Sequence, residues 1–234
     1  MVAALDADLI GTGTYCSYCL RAMQPSTSIH VPFDPLRSTY CSKECQHSAD
    51  EQYQNLLFSP LKLATPANPT PTQTKAQVEE RRKAQDAFAA YIKGHGKISS
   101  LMILRFIGQL LADEHQRLLG SRMKHELPEV PKESKLVYSF YDYIERLRSM
   151  EILAGPTEEA EMTHCRTLLK LAMEGLEEFL DDEKYLTLKG KIAYNAFGVT
   201  YSGGRTNRVS CVGDLYGQTA EQIKASAEWG TGEI

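Results

Sequence analysis

The chain has 234 residues, of which 42% are hydrophobic and 24% are charged, and its formal net charge is −4. This composition suffices for one sizeable core or two small ones. The lack of a basic excess disfavours direct nucleic-acid binding, and the lack of an apolar run of about 18–20 residues disfavours a membrane span. The first ten residues carry two aspartates and no basic residue, unlike a signal or transit peptide. We therefore expect an intracellular protein, cytoplasmic or nuclear, whose partner is a protein or peptide.

Two cysteine pairs near the N-terminus have the spacing of a metal site. Cys16 and Cys19 form a C-x2-C pair, and Cys41 and Cys45 follow after 21 intervening residues as a C-x3-C pair. Two such pairs can bring four thiolates to one ion at about 2.3 Å in a tetrahedron. The intervening residues are too poor in apolar side chains to fold unaided, and zinc binding supplies about 10 kcal/mol in small peptides. We predict one structural zinc ion on these four residues, with a short helix starting at residues 42–44.

The alternatives to a metal site are a redox C-x-x-C and a chance grouping of buried thiols. A redox pair usually opens a helix after a buried strand, and residues 12–15 do not have that pattern. Unrelated thiols would not come as two tight pairs. Two histidines lie near these cysteines, but four thiolates already close the metal shell. His30 and His47 are therefore predicted to be surface residues.

The cysteine pairs resemble those of a MYND zinc finger. The Y-C-x-x-x-C of residues 40–45 is similar to its closing half, and the C-x-x-C of residues 16–19 to its opening half. A full MYND finger holds two zinc ions. The ligands of its first site are present here, whereas the internal C-x-x-C and the later His-x-x-x-Cys of its second site are absent. The resemblance therefore implies a degenerate finger with one zinc ion.

Other segments resemble SET-and-MYND protein lysine methyltransferases, in which the finger interrupts the SET domain and a helical insert follows. Residues 100–107 are similar to the first insert helix, and residues 141–148 to a segment of fungal members. Residues 191–197 resemble the N-x-F strand, whose asparagine, Asn195 here, faces S-adenosylmethionine in the family. The N-H-S-C motif and the catalytic tyrosine segment do not follow. The resemblance implies the central part of such an enzyme, without the transferase centre or a catalytic residue.

The segment after the finger predicts a linker and then helices. Residues 65–74 hold three prolines and no apolar side chain larger than alanine, which is typical of a flexible linker. Apolar residues at helical spacing follow, with Gly94 and Gly120 as expected helix stops. From Ile192 onward, β-branched and aromatic residues are more frequent and predict strands. The predicted helices are residues 75–93, 100–119, 134–150 and 158–181.

The predicted fold is therefore mostly α with a small zinc finger and short β elements. Its divisions are a finger at residues 1–60, a linker at 61–74, a SET-insert-like helical bundle at 75–190, and a partial SET-like strand region with an unmatched tail at 191–234.

Nothing else in the sequence indicates an active site. Neighbouring side chains on a helix point about 100° apart, so His164 and Cys165 make a poor nucleophile–base pair. We expect Cys165 and Cys211 to be structural thiols. Three functional hypotheses follow: a part of a SET-and-MYND methyltransferase lineage, a non-catalytic module that binds a peptide, and a helical-repeat adaptor. The third is the weakest because the sequence has no repeat. MYND fingers as a class bind proline-containing peptides, which favours a peptide partner.

Overall fold

The computed structural model of the protein describes residues 4–63, 72–124 and 140–195. Within these ranges the chain is mostly helical with a short antiparallel pair of strands, which confirms the predicted class in its coarse form. The strands are β1 (Ile29–His30) and β2 (Thr39–Tyr40). The helices are, in chain order, α1 (Lys43–Ala49), α2 (Asn55–Phe58), α3 (Lys75–His95), α4 (Ser99–Lys124), α5 (Phe140–Glu145), α6 (Pro156–Ala172) and α7 (Asp182–Asn195).

Residues 4–63, here called the finger segment, end in one nearly continuous stretch of helix. The predicted short helix after the second cysteine pair is confirmed as α1, which begins at Lys43. Five π-helical residues, Asp50–Gln54, join α1 to α2. Tyr53 and Gln54 of this π turn are buried. The finger segment therefore ends in a helical stretch of its own, and the helices that follow residue 72, α3 to α7, are here called the bundle.

Glycine ends fewer helices than the sequence predicts. α3 passes through Gly94 and ends before Gly96, which has a left-handed φ of +67°. α4 likewise passes through Gly120 and ends at Lys124. A glycine inside a helix costs only about 1 kcal/mol, so it ends a helix only where the backbone takes up the left-handed turn. The apolar stripe predicted for α4 is confirmed by the buried side chains Leu101, Leu104 and Ile107.

The other two predicted helices are shorter than expected. The one predicted at residues 158–181 starts earlier, at Pro156, and ends at Ala172, because Met173 takes up an extended conformation with φ −152° and ψ 129°. The one predicted at residues 134–150 is α5 alone within the described ranges, and residues 134–139 lie outside them. After α5 the chain leaves the helix and crosses α7, where the Met150 amide donates to the Gly190 carbonyl at 3.1 Å.

α7 corrects the prediction of a strand from residue 191 onward. Residues 191–195 form its last turn, and the rest of the predicted strand region, from residue 196, lies outside the described ranges. Tyr185 and Lys189 of α7 both contact the carboxylate of buried Glu161. Residues four apart lie on one face of a helix, but a strand would place them about 13 Å apart. These contacts, which the local composition could not reveal, favour a helix before residue 191, and the Asn195 side chain, which donates to the Lys191 carbonyl four residues earlier, lies in the turn that continues it.

One hydrophobic core joins the finger segment to the bundle. It contains buried side chains from both sides of the predicted linker, among them Leu5, Leu36, Leu57, Phe88, Leu104 and Leu168. The two parts approach each other closely at Gly108 of α4, where an added β-carbon would lie 2.7 Å from the Gln52 carbonyl oxygen. The finger segment and the bundle are thus separated by the linker in sequence but share their apolar core. None of the helices in the described ranges is long and apolar enough to cross a membrane.

A buried ionic network holds α6, α7 and the start of α4 together. The Lys189 ammonium, 6% exposed, donates to Glu161 at 2.7 Å and to Glu158 at 2.8 Å. Glu161 is fully buried and also accepts hydrogen bonds from the hydroxyls of Ser99 and Tyr185. Burial raises the pKa of the Tyr185 hydroxyl far above its usual value, so it remains a donor. Each charge in the network therefore has its partners within the protein.

We predict that Lys189→Met lowers the free energy of unfolding by about 3–5 kcal/mol, because it leaves the Glu161 carboxylate buried without its counter-ion. The matched control is Lys184→Met, which removes the ion pair with Asp181, whose two side chains are about half exposed. Loss of an exposed pair costs about 1 kcal/mol or less. Urea denaturation of both variants measures the difference, and equal losses would contradict the role given to Lys189.

Candidate metal centre

The four predicted cysteine ligands come together in the structure. The sulfur atoms of Cys16, Cys19, Cys41 and Cys45 all lie within 4.8 Å of one another. The sulfurs of Cys19 and Cys41 are 3.6 Å apart, as are those of Cys41 and Cys45. Four sulfurs placed tetrahedrally at about 2.3 Å from one ion would be about 3.8 Å apart. The cluster can therefore hold a metal ion with little rearrangement.

A tight turn positions the first cysteine pair. Tyr15 and Ala22 form an isolated antiparallel bridge across the turn. Inside it, the Cys16 amide donates to the Arg21 carbonyl at 2.9 Å, and the Leu20 amide donates to the Cys16 carbonyl at 3.0 Å. Leu20 completes the turn with a left-handed φ of +59°. This geometry folds the backbone back on itself, so that both sulfurs face the same point.

The end of β2 and the start of α1 position the second pair. Cys41 directly follows β2, and Cys45 lies in the first turn of α1. Ser42 caps this helix, since its hydroxyl accepts a hydrogen bond from the Cys45 amide at 3.2 Å. A helix N-terminus carries partial positive charge, which favours thiolates beside it.

Ser17 and Thr39 join the two halves of the centre. The Ser17 amide donates to the Thr39 carbonyl at 2.7 Å, and the Thr39 amide donates to the Ser17 hydroxyl at 3.2 Å. Both residues are buried. These bonds link the turn of the first pair to β2 and so hold the second pair beside it.

The electrostatics of the cluster favour an added cation. Burial opposes ionisation of the Cys16 thiol, but hydrogen bonds from the amides of Cys19, Cys41 and Tyr18 lower its pKa overall. Burial and hydrogen bonds to the other three sulfurs raise the pKa of Cys41 to about 12, and burial raises that of Cys45. Thiols this close cannot all ionise without a positive charge between them. A metal ion supplies that charge and displaces the remaining protons.

The geometry does not match a redox pair. Cys16 lies in a bridged turn, whereas a redox C-x-x-C usually opens a helix. Cys165 is a buried thiol of α6, as predicted, and Cys211 lies outside the described residues.

Both nearby histidines lie outside the cysteine cluster, as predicted. His30 is exposed and its ring contacts the Ser28 hydroxyl at 3.1 Å. His47 is exposed and lies 3.3 Å from the Glu51 carboxylate. Thiolates are therefore the complete ligand set that the described residues offer at this site.

Asn195, the predicted cofactor-binding residue, lies far along the chain from this centre and has internal partners. It is the last residue of α7, and its side-chain amide donates to the carbonyls of Arg148 and Lys191 at 2.7 Å each. This asparagine fastens the segment after α5 to the end of α7. The predicted strand at Asn195 is wrong, because this residue belongs to α7. Its contact with S-adenosylmethionine stays a prediction.

Sequence reasoning missed one residue beside the centre. Arg105 of α4 is 1% exposed, lies over the ring of Tyr53 and donates to the Ser17 carbonyl at 3.3 Å. The sequence indicated this residue only by its position, since Arg105 follows Leu101 by four residues on the apolar face of a predicted helix. A charged side chain at such a position requires a buried partner.

Comparisons of the chain with protein families, with curated proteins and with solved structures give no match. The interpretation of the cysteine cluster therefore depends on its own geometry and chemistry.

We predict close to one metal ion per chain in purified protein, because the described residues offer one set of four thiolates. Cys41→Ser removes the sulfur that lies 3.6 Å from two of the others and should abolish stoichiometric binding. Cys165→Ala, which removes a buried thiol outside the cluster, is the matched control and should keep the metal. Elemental analysis measures both. Two ions per chain, or full occupancy in Cys41→Ser, would contradict the assignment.

Proposed function

We propose that the protein is a zinc-binding, MYND-like protein-interaction module without a catalytic centre of its own. Zinc is the ion proposed because a closed tetrahedral set of four thiolates is typical of structural zinc sites. Four protein ligands leave no open position for a substrate or an activated water. The role of the ion is therefore to hold the finger segment in shape. The resemblance of residues 16–19 and 40–45 to a MYND finger supports this proposal.

The observation that carries the interaction role is the exposure of Phe33. Its side chain is 74% exposed, in the loop between β1 and β2 that the metal site closes. Its φ is +72°, a left-handed conformation that costs a bulky residue about 1–3 kcal/mol. Backbone strain at a residue whose aromatic ring is exposed to solvent is typical of binding residues.

The neighbouring residue makes this loop rigid. Asp34 is buried, and its carboxylate accepts hydrogen bonds from the amides of Leu36 and Ser38 at 2.8 and 2.9 Å. The same carboxylate accepts a third bond, at 3.0 Å, from the side chain of Gln54 in the π turn. Phe33 therefore projects from a fixed backbone, and binding would order little additional chain.

A proline-containing peptide is the proposed partner. The resemblance to MYND fingers implies this class of ligand. Extended proline-rich segments bind aromatic side chains and lose little conformational freedom, since proline already restricts their backbone. The net charge of −4 favours a peptide with basic residues beside the prolines.

We predict that Phe33→Gly weakens peptide binding by about 30-fold, the loss typical of an aromatic hot spot. The same change should leave the protein at least as stable, because glycine adopts a left-handed φ without strain. Leu153→Ala is the matched control, since Leu153 is 78% exposed outside the finger segment. Fluorescence polarisation with labelled proline-rich peptides and thermal melts measure both effects. Equal affinity of Phe33→Gly and wild type for every peptide that binds would contradict this role for Phe33.

The resemblance to SET-and-MYND methyltransferases supports a related proposal about lineage. We infer that the bundle corresponds to the helical insert that follows the finger in that family. The order of finger segment, linker and bundle agrees with it. The N-x-F match assigns Asn195 to the cofactor, but its amide already has two internal acceptors.

We predict that any dissociation constant of S-adenosylmethionine from this chain is above about 1 mM. Binding with a dissociation constant of about 1 mM already requires a binding free energy of about 4 kcal/mol. One displaced side-chain hydrogen bond contributes only about 0.5–1.5 kcal/mol. Isothermal titration of wild type and Asn195→Ala tests this. Micromolar binding that Asn195→Ala weakens would favour the methyltransferase hypothesis over the interaction module.

A further inference from the structure

The peptide group between Ser17 and Tyr18 is held by a residue of the bundle. Arg105 of α4 donates from Nη1 to the Ser17 carbonyl oxygen at 3.3 Å. The Tyr53 hydroxyl donates to the same oxygen at 3.4 Å. The Arg105 guanidinium lies 4.5 Å from the centre of the Tyr53 ring, in the geometry of a cation–π contact. Two buried donors on different elements thus fix the direction of one carbonyl.

That carbonyl direction also sets the direction of an amide at the metal centre. The described residues contain no cis peptide bond, so the Ser17 carbonyl and the Tyr18 amide point to opposite sides of the same planar group. Ser17 and Tyr18 lie between the two cysteines of the first pair, Cys16 and Cys19. With the carbonyl held towards Arg105 and Tyr53, the orientation of the peptide plane inside this C-x2-C turn is therefore fixed.

We propose that Arg105 is a positioning residue of the metal centre, which acts through the Ser17–Tyr18 peptide to hold the turn that carries the sulfurs of Cys16 and Cys19. This inference rests on the proposed function, in which the four cysteines hold zinc. Four thiolates around a divalent ion leave a net charge of −2, and residues that orient the ligands of such an ion raise the affinity of the site for it. Arg105 therefore links the packing of α4 to the affinity of the finger segment for its metal.

The coupling is reciprocal. If α4 strengthens metal binding, then metal binding stabilises the packing of α4 to the same extent. Removal of zinc should therefore weaken the packing of α4 against the finger segment, although the two parts still share their apolar core.

If the role of Arg105 were purely structural, its loss would lower stability without changing the metal affinity. Arg81 provides the comparison. Arg81 of α3 is also 1% exposed, and it donates to the carbonyls of Ser59 and Leu56 at 2.8 and 2.9 Å. Those carbonyls belong to the end of α2 and not to the cysteine cluster. Loss of either guanidinium should lower stability, but only the loss of Arg105 should change the metal.

The test measures metal affinity in the full chain, by competition with a chromophoric zinc chelator. We expect Arg105→Met to weaken zinc binding by about 10- to 100-fold, the usual effect of removing a residue that orients a metal ligand. Arg81→Met should lower the melting temperature and change zinc affinity less than about twofold. Arg105→Lys, which keeps a charge and a donor, should recover most of the affinity.

Cobalt substitution gives a second readout that stability alone does not move. The thiolate-to-cobalt charge-transfer bands should shift in Arg105→Met and stay unchanged in Arg81→Met. If Arg105→Met does not fold, Tyr53→Phe replaces it in the test, because it keeps the ring and removes the other donor to the Ser17 carbonyl. This variant should show a smaller shift of the charge-transfer bands and a several-fold loss of zinc affinity. Equal zinc affinities and spectra in all variants, or equal losses in the Arg105 and Arg81 variants, would overturn the inference alone. A wild-type chain that takes up no metal would overturn the proposed function as well.

Discussion

Four cysteine sulfurs held within 4.8 Å of one another impose the constraint on which the finger segment depends. Ionised together they repel, and as thiols they add little apolar surface to a small cluster around Tyr40 and Tyr53. One divalent ion resolves both difficulties, because it offsets half of the charge of the four thiolates and closes the loop between residues 16 and 45. The turn of the first pair, the end of β2 and the start of α1 converge on this point. The loop that carries Phe33 lies between β1 and β2, within the segment that these two cysteine pairs enclose.

The bundle secures the finger segment through buried polar side chains as well as apolar ones. Arg81 and Gln85 of α3 donate to carbonyls at the end of α2, and Arg105 of α4 donates to the turn of the first cysteine pair. Burial lowers the pKa of Arg81 to about 10, so its guanidinium remains charged at neutral pH. These three side chains satisfy carbonyls where regular structure ends. A partner bound at Phe33 would therefore contact a segment that is packed against the bundle.

The parts of this structure that local chemistry determines were predictable from the sequence. The spacing of the cysteine pairs predicted the cluster, and the apolar stripe of α4 predicted its buried face. The parts set by distant partners were not predictable. The composition near Ile192 favoured a strand, but residues 191–195 continue a helix whose Tyr185 and Lys189 both contact Glu161 of α6. Gly94 and Gly120 were expected to end helices, but a glycine ends one only where tertiary packing permits the left-handed turn. Arg105 could be recognised as unusual, but its target, the Ser17 carbonyl, lies 88 residues away.

The most direct test of this account is the coordination shell of the bound metal. X-ray absorption at the zinc edge of the purified full chain reports the number, type and distance of the ligand atoms. The account predicts four sulfur atoms at about 2.3 Å and no nitrogen or oxygen neighbour at bonding distance. A shell that contains nitrogen or oxygen ligands, or one with fewer than four sulfurs, would contradict the central claim that these four cysteines form a closed structural centre.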